Sequence, residues 1–215
     1  MSRLATSFVL GYHGCDEDVA RRVIVEGASL LHSDRDYDWL GPGSYFWESD
    51  PQRAWEWADL RAKQGLIAQP AVVGAVIDLR HCLDLVSRDD VELLNAAYDS
   101  FVDLQEKSGL PLPENRAPSA DDEHVLLLRF LDCAVLRHLH RTIEEANDPD
   151  LRPFDTVRGM FVEGGEAFPG SGLHRKSHVQ IAVRDDDCIR GLFFPLQDGN
   201  RMFPDSETKG VPDAG

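Results

Sequence analysis

"SFVLGYHGCDEDVARRVI", residues 7–24, changes its periodicity half-way along. Its first half is a brief apolar run ended by Gly14, which reads as a strand. Asp16 can then cap a helix, and Glu17 and Asp18 occupy its first turn, where negative charge suits the helix dipole. Val19 and Val23, then Ala20 and Ile24, recur at helical spacing until Gly27 stops the run. His13 and Gly14 therefore sit where a strand hands over to a helix N-terminus. The same pattern repeats downstream. "GPGSYFWE" (41–48) predicts a second strand, and "SDPQRAWEWADLRAKQG" (49–65) predicts a helix with Asp50 as cap, Pro51 in the first position and Gly65 at the end. "AVVGAVIDL" (71–79) is a continuous apolar run of strand length, as expected of a sheet centre covered on both faces.

The pattern then turns helical between 87 and 150. Val91, Leu94, Tyr98 and Phe101 form one stripe over 89–106, and Val125, Leu128, Leu131, Val135 and Leu139 form another over 121–146. Between them "SGLPLPENRAPSADD" carries three prolines and predicts a loop. Strands return with "TVRGMFVEG", "SHVQIAVR" and "CIRGLFFP", and the tail 198–215 has little to bury. The expected architecture is a single α+β domain over 1–215, with 87–150 as a helical insertion.

Composition narrows the function classes. The formal net charge is -16, from 22 basic and 38 acidic side chains, a field that opposes nonspecific nucleic-acid binding. The best local exception, "LHRKSH" (173–178), reads more simply as a solvated loop. No run of about 18 apolar residues and no secretory signal pattern is present, so the expectation is no membrane partner and a cytoplasmic location. Cys15, Cys82, Cys133 and Cys188 are scattered singly, which favours reduced thiols over a zinc site or disulfide framework. Cys15 has no recognisable catalytic partner, and His138 and His140, two apart on a helix, face different directions; no metal is expected.

Three places carry candidate chemistry. His13 could be an ordinary strand-end histidine bonded to a carbonyl, yet Gly14 and a helix N-terminus follow it, the setting of a nucleotide-type pocket. Tyr45 could be a strand aromatic in the core, yet "GPG" before it makes a tight approach that leaves room for a flat ring. Trp55 and Trp57 on the next helix could supply a second aromatic wall. In "SHVQIAVR", Val179, Ile181 and Val183 alternate with His178, Gln180, Ala182 and Arg184, giving a core face and a face toward water or a cleft.

Taken together, "YHG", then "GPGSYFWE" with its tyrosine 32 residues after the histidine, then a late strand with a polar residue, resemble the ADP-ribosyltransferase superfamily. The similarity is to the branch of diphtheria toxin and the poly-ADP-ribose polymerases, whose signature is His, Tyr, Glu on three strands. It covers roughly 8–65 and 155–195. The resemblance implies a split β-sandwich with NAD, consumed as substrate, in the cleft between its sheets. It gives His13 the adenosine ribose, Gly14 the nicotinamide amide through its backbone, and Tyr45 a stacking role against the nicotinamide ring. Trp57, or else Trp55, would clamp the other face.

The third position departs from the family. Gln180 aligns with its glutamate, with His178 as the alternative and Glu163 or Glu166 in "VEGGEAFPG" as a third possibility; Glu163, Glu166 and His178 are also the groups that could activate the acceptor. Cleavage of the nicotinamide–ribose bond passes through an oxocarbenium-like state that a carboxylate stabilises. Gln180 lacks that charge; its amide oxygen is expected to accept from a ribose hydroxyl and orient the sugar. The implied function is mono-ADP-ribosyl transfer to a protein or nucleic-acid acceptor, as a bacterial toxin or effector that a neutralising antitoxin could accompany. The alternatives are a catalytically inactive NAD or ADP-ribose-binding module and an RNA 2'-phosphotransferase-like enzyme, the latter opposed by the acidic charge and the Tyr45 motif.

Overall fold

The computed structural model describes residues 8–117, 126–197 and 200–201. Strand β1 (Phe8–Asp16) leads into helix α1 (Glu17–Val25), and β2 (Ser44–Glu48) leads into α2 (Pro51–Lys63). Both caps form as the sequence predicts: Asp16 accepts from the Asp18 N–H and Asp50 from the Arg53 N–H. Next come β3 (Pro70–Asp78), β4 (Cys82–Asp84), α3 (Arg88–Ser108), α4 (Phe130–Ala146), β5 (Thr156–Phe161), β6 (His178–Val183) and β7 (Ile189–Phe193). A two-residue pair, β8 (Leu196–Gln197) and β9 (Asn200–Arg201), stands apart from the main sheet. The rest of the expected tail, and the stretch 118–125 with Val125, lie outside the described residues.

The class is α+β. Seven strands form one mixed sheet in the order β4-β5-β6-β2-β1-β3-β7. Among the described residues only β4 and β5 run parallel, and every other neighbouring pair is antiparallel. Parallel neighbours cannot be joined by a tight turn. The helical segment is thus the long connection between β4 and β5, which explains why two helices interrupt a strand-rich chain.

Strand alternation gives the sheet two differently dressed faces. On one, Cys15, Phe46, Val73, Ala75, Ile77, Ile181 and Val183 pack with Ala20 and Val23 of α1. On the other, Trp47, Val72 and Tyr12 meet α2 through Ala54, Trp55 and Trp57. Further along that second face, Val157, Ala182 and Tyr45 pack under α3 and α4 through Ala97, Val135, Leu136 and Leu139. The helices at 87–150 therefore cover the β2, β5 and β6 side of the sheet.

Two boundaries differ from expectation. The helix predicted over 121–146 begins at Phe130, because Asn115 caps it from 16 residues away, its side-chain oxygen accepting from the Leu131 N–H at 2.9 Å. Strand β4 is three residues long and leaves no periodicity to read.

Arg158 ties three strands together. It donates from Nε and a terminal nitrogen to the two Glu48 carboxylate oxygens at 2.6 and 3.1 Å, and to Asp84 at 3.1 Å. Those bonds, chiefly with Glu48, hold its pKa above the ordinary arginine value. Replacing Arg158 by Met should leave two neighbouring carboxylates uncompensated. The expected loss in urea denaturation is about 2 kcal/mol at pH 7.

Candidate functional site

The site lies where the sheet is thinnest. On one edge β1 pairs with β3 along its whole length, from Phe8↔Asp78 to Asp16↔Pro70. On the other edge its register with β2 consists of Gly11↔Glu48 and Tyr12↔Trp47, with the Ser49 N–H donating to the Leu10 carbonyl at 2.8 Å. Bonded pairs in an antiparallel ladder recur at every second residue, so the next after Leu10–Ser49 and Tyr12–Trp47 would be Gly14–Tyr45. The register stops before it.

His13 takes its place. Its Nδ1 lies 2.8 Å from the Tyr45 carbonyl oxygen. A carbonyl only accepts, so Nδ1 carries the proton and Nε2 presents the lone pair. Burial lowers the His13 pKa, against the opposing pull of the Tyr45 carbonyl, and favours the neutral ring. The outward N–H and C=O of Gly14 consequently point toward the opened edge between β1 and β2.

Gly14 has a second reason to lack a side chain. A Cβ there would stand 2.3 Å from the Ala54 carbonyl oxygen and 3.3 Å from the Trp57 ring. Helix α2 lies directly on the strand at this point. Trp57 packs at 6.1 Å from Trp47, with the Arg61 guanidinium 5.4 Å from the centre of its ring, and Trp55 belongs to the same cluster.

Tyr45 is anchored from the opposite direction. Its hydroxyl donates to the Gly41 carbonyl at 2.8 Å and accepts from the Leu40 N–H at 2.9 Å. Burial pushes its pKa well above the usual phenol value. The ring packs with Leu40 and Ala182 under α3 and α4. The structure thus brings His13 and Tyr45 together through the Tyr45 backbone, while Tyr45 and Trp57 sit in different apolar clusters.

Strand β6 completes the constellation. Gln180 faces Trp47 on β2 and Gly159 on β5 in the register, and its side chain is half-buried. Its Oε1 accepts from the Trp39 indole N–H at 2.6 Å. The oxygen expected to meet a ribose hydroxyl is therefore already engaged. His178 is sealed in: its side chain is 2% exposed, Nδ1 donates to the Lys176 carbonyl at 2.7 Å, and the ring stacks on Phe161 at 5.6 Å. Burial lowers its pKa, which leaves it neutral.

The two nearby glutamates are also committed. Both Glu163 oxygens accept from Arg53, at 2.8 and 2.9 Å, with each side chain 15% exposed. Glu166 is exposed and its Oε2 accepts from the Gly170 N–H at 2.8 Å, bracing a turn closed by the Glu166↔His174 bridge. The segment 173–177 belongs to this loop. Of the four candidates for the third position, Gln180 is the one on the strand beside β2 with a side chain that solvent reaches.

Trp39 and Arg53 are the residues that sequence reasoning missed. Trp39 sits in a polar loop with no periodicity, and Arg53 looks like an ordinary helix surface charge. Among the described residues, no group of three or more His, Cys, Asp or Glu converges on a point that could hold a metal. The Cys15 thiol is pushed up to about 12 by burial and Asp16, which disfavours the thiolate. A separate cleft of about 350 Å³, lined by His32, Glu144, Phe154, Asp155 and Arg184 among others, contains none of the site residues. No helix among the described residues is long and apolar enough to cross a membrane. No protein-family model, curated protein or solved structure matches the chain.

Proposed function

We propose that the chain is a NAD-dependent mono-ADP-ribosyltransferase that binds its substrate at the opening between β1 and β2. The observation that carries this reading is the break in the ladder after Tyr12↔Trp47, where the His13 ring takes the Tyr45 carbonyl and turns the Gly14 peptide edge outward. A sheet joined at its middle by so few pairs is compatible with two half-sheets around a cleft. The three residues of the motif also occupy adjacent strands, β1, β2 and β6.

In this reading the Gly14 N–H and C=O engage the nicotinamide carboxamide, and the Tyr45 ring, held by Leu40 and Gly41, lies against the nicotinamide. The Nε2 lone pair of His13 accepts from a ribose hydroxyl. Nicotinamide leaves as a neutral molecule from a cationic ring, so the leaving group requires no proton from the protein. Gln180 positions the sugar without supplying charge. The second reading, a module that holds NAD or ADP-ribose without turnover, is favoured by that missing carboxylate. An ADP-ribose acceptor, and a neutralising partner such as a toxin has, belong to the first reading alone.

Calorimetric titration of NAD and incubation with NAD labelled in the adenylate moiety separate these readings. Label transferred to an acceptor supports the enzyme, and saturable binding without nicotinamide release supports the module. His13→Ala should reduce NAD affinity at least tenfold, since it removes the ribose contact and the bond that holds the strands in register. Unchanged affinity would overturn the pocket. Gln180→Glu restores a carboxylate and should raise NAD hydrolysis.

A further inference from the structure

The carboxamide of Gln180 has one orientation available. An indole N–H is a donor only, so the atom 2.6 Å from Trp39 Nε1 must be the amide oxygen. The Gln180 Nε2 then has no hydrogen-bond partner among the described residues and is not one of the buried unpartnered atoms.

The indole is itself held in place. A Cβ on Gly159, the β5 partner of Gln180, would lie 2.7 Å from Trp39 Cη2 and 3.0 Å from Cζ3, so the strand lacks a side chain where the ring crosses it. Phe161 meets the ring edge-on at 5.2 Å. The loop bearing Trp39 is closed by the Arg35 N–H to Asp38 carboxylate bond at 2.7 Å and the Gly41 N–H to Asp38 carbonyl bond at 2.7 Å. The next two residues, Leu40 and Gly41, are those that hold the Tyr45 hydroxyl. One three-residue strap therefore orients both Gln180 and Tyr45.

We propose that Trp39 is a positioning residue that turns the Gln180 carboxamide so its N–H edge meets the ligand, making this part of the pocket select an atom with lone pairs. This inference rests on the ligand-pocket reading given above. A ribose hydroxyl oxygen or a phosphate oxygen fits such an edge. A donor at this place withdraws electron density from the sugar, and so favours holding the ligand over driving its cleavage.

The test combines an orientation readout with a double-mutant cycle. In ¹H–¹⁵N spectra of the unaltered chain the Trp39 indole proton should exchange slowly and resonate downfield, and Gln180→Ala should move it upfield. An indole signal indifferent to Gln180→Ala would overturn the proposal. Trp39→Phe keeps a ring over Gly159 while removing the N–H. It should weaken NAD binding about fivefold in the unaltered background and leave affinity unchanged in the Gln180→Ala background. No loss in the first background, or an equal loss in both, would overturn the positioning role. Failure of the unaltered chain to bind NAD would end the pocket reading, while the indole signal still decides the amide orientation.

Discussion

An alanine at position 14 is expected to lower the unfolding free energy by about 3 kcal/mol, the upper end of the usual penalty for overfilling a packed site. The added methyl would stand 2.3 Å from the Ala54 carbonyl oxygen, an approach that no rotamer change relieves because the opposing atom is backbone. Helix α2 must shift, and with it Trp57 and the Asp50 cap at its start. Comparison with Gly191→Ala calibrates the measurement, since nothing lies within 4 Å of a Cβ at that position. Urea midpoints that fall equally for the two variants would contradict the close contact between β1 and α2. The variant also bears on function, since a displaced helix would widen the opening beside His13.

Acid should destabilise the protein well before its carboxylates titrate. His140, on α4, is 4% exposed, and neither ring nitrogen has a hydrogen-bond partner among the described residues. Burial, and secondarily the charge of Arg184, depress its pKa from 6.5 to about 3. A histidine whose folded pKa is depressed binds its proton more readily in the unfolded chain. Stability is therefore greatest above about pH 6.5 and falls as the pH drops toward the folded value. Each such group contributes a slope of about 1.4 kcal/mol per pH unit within that window. Between pH 6.5 and 4.5 the loss from His140 alone should be on the order of 3 kcal/mol. His13 and His178, both lowered by burial, add to the slope in the same direction. Urea titrations across this range should show a shallower acid limb for His140→Leu than for the unaltered chain. Parallel limbs would mean that the imidazole is solvated or charged in the folded state.

Local elements were legible because their determinants are local. Asp16 and Asp50 announce helix starts within a few residues of the strands they follow, and both caps form. The apolar run at 71–79 reads as a central strand, and β3 indeed bonds to neighbours on both sides. The two-residue alternation of "SHVQIAVR" holds, but the face expected toward water or a cleft is largely covered: Ala182 lies in the core under α3 and α4, His178 is buried, and Gln180 is half-buried. The start of α4 escaped because its cap, Asn115, belongs to a different segment. Strand order escaped for the same reason: β6 bonds to β2 across some 130 residues of chain, and no local pattern encodes that choice.

The candidate site was legible in part. His13, Tyr45 and Gln180 were singled out from context, and their strands lie side by side. What could not be read is how each group is already occupied. His13 spends its proton on a carbonyl, Gln180 spends its oxygen on an indole, and Glu163 is held by a guanidinium. Gly14 answers a steric demand from α2 as well as any demand from a ligand, and one residue type records both.

The strand order also sets a schedule for synthesis. Until residues 178–183 have left the ribosome, the outer edge of β2 has no neighbour, and Phe46 and Trp47 border an unfinished margin. A nascent chain stalled after the helices would carry that sticky border into the cell. The last third of the polypeptide thus acts as the clasp that closes the sheet, and premature termination there strands everything made before it.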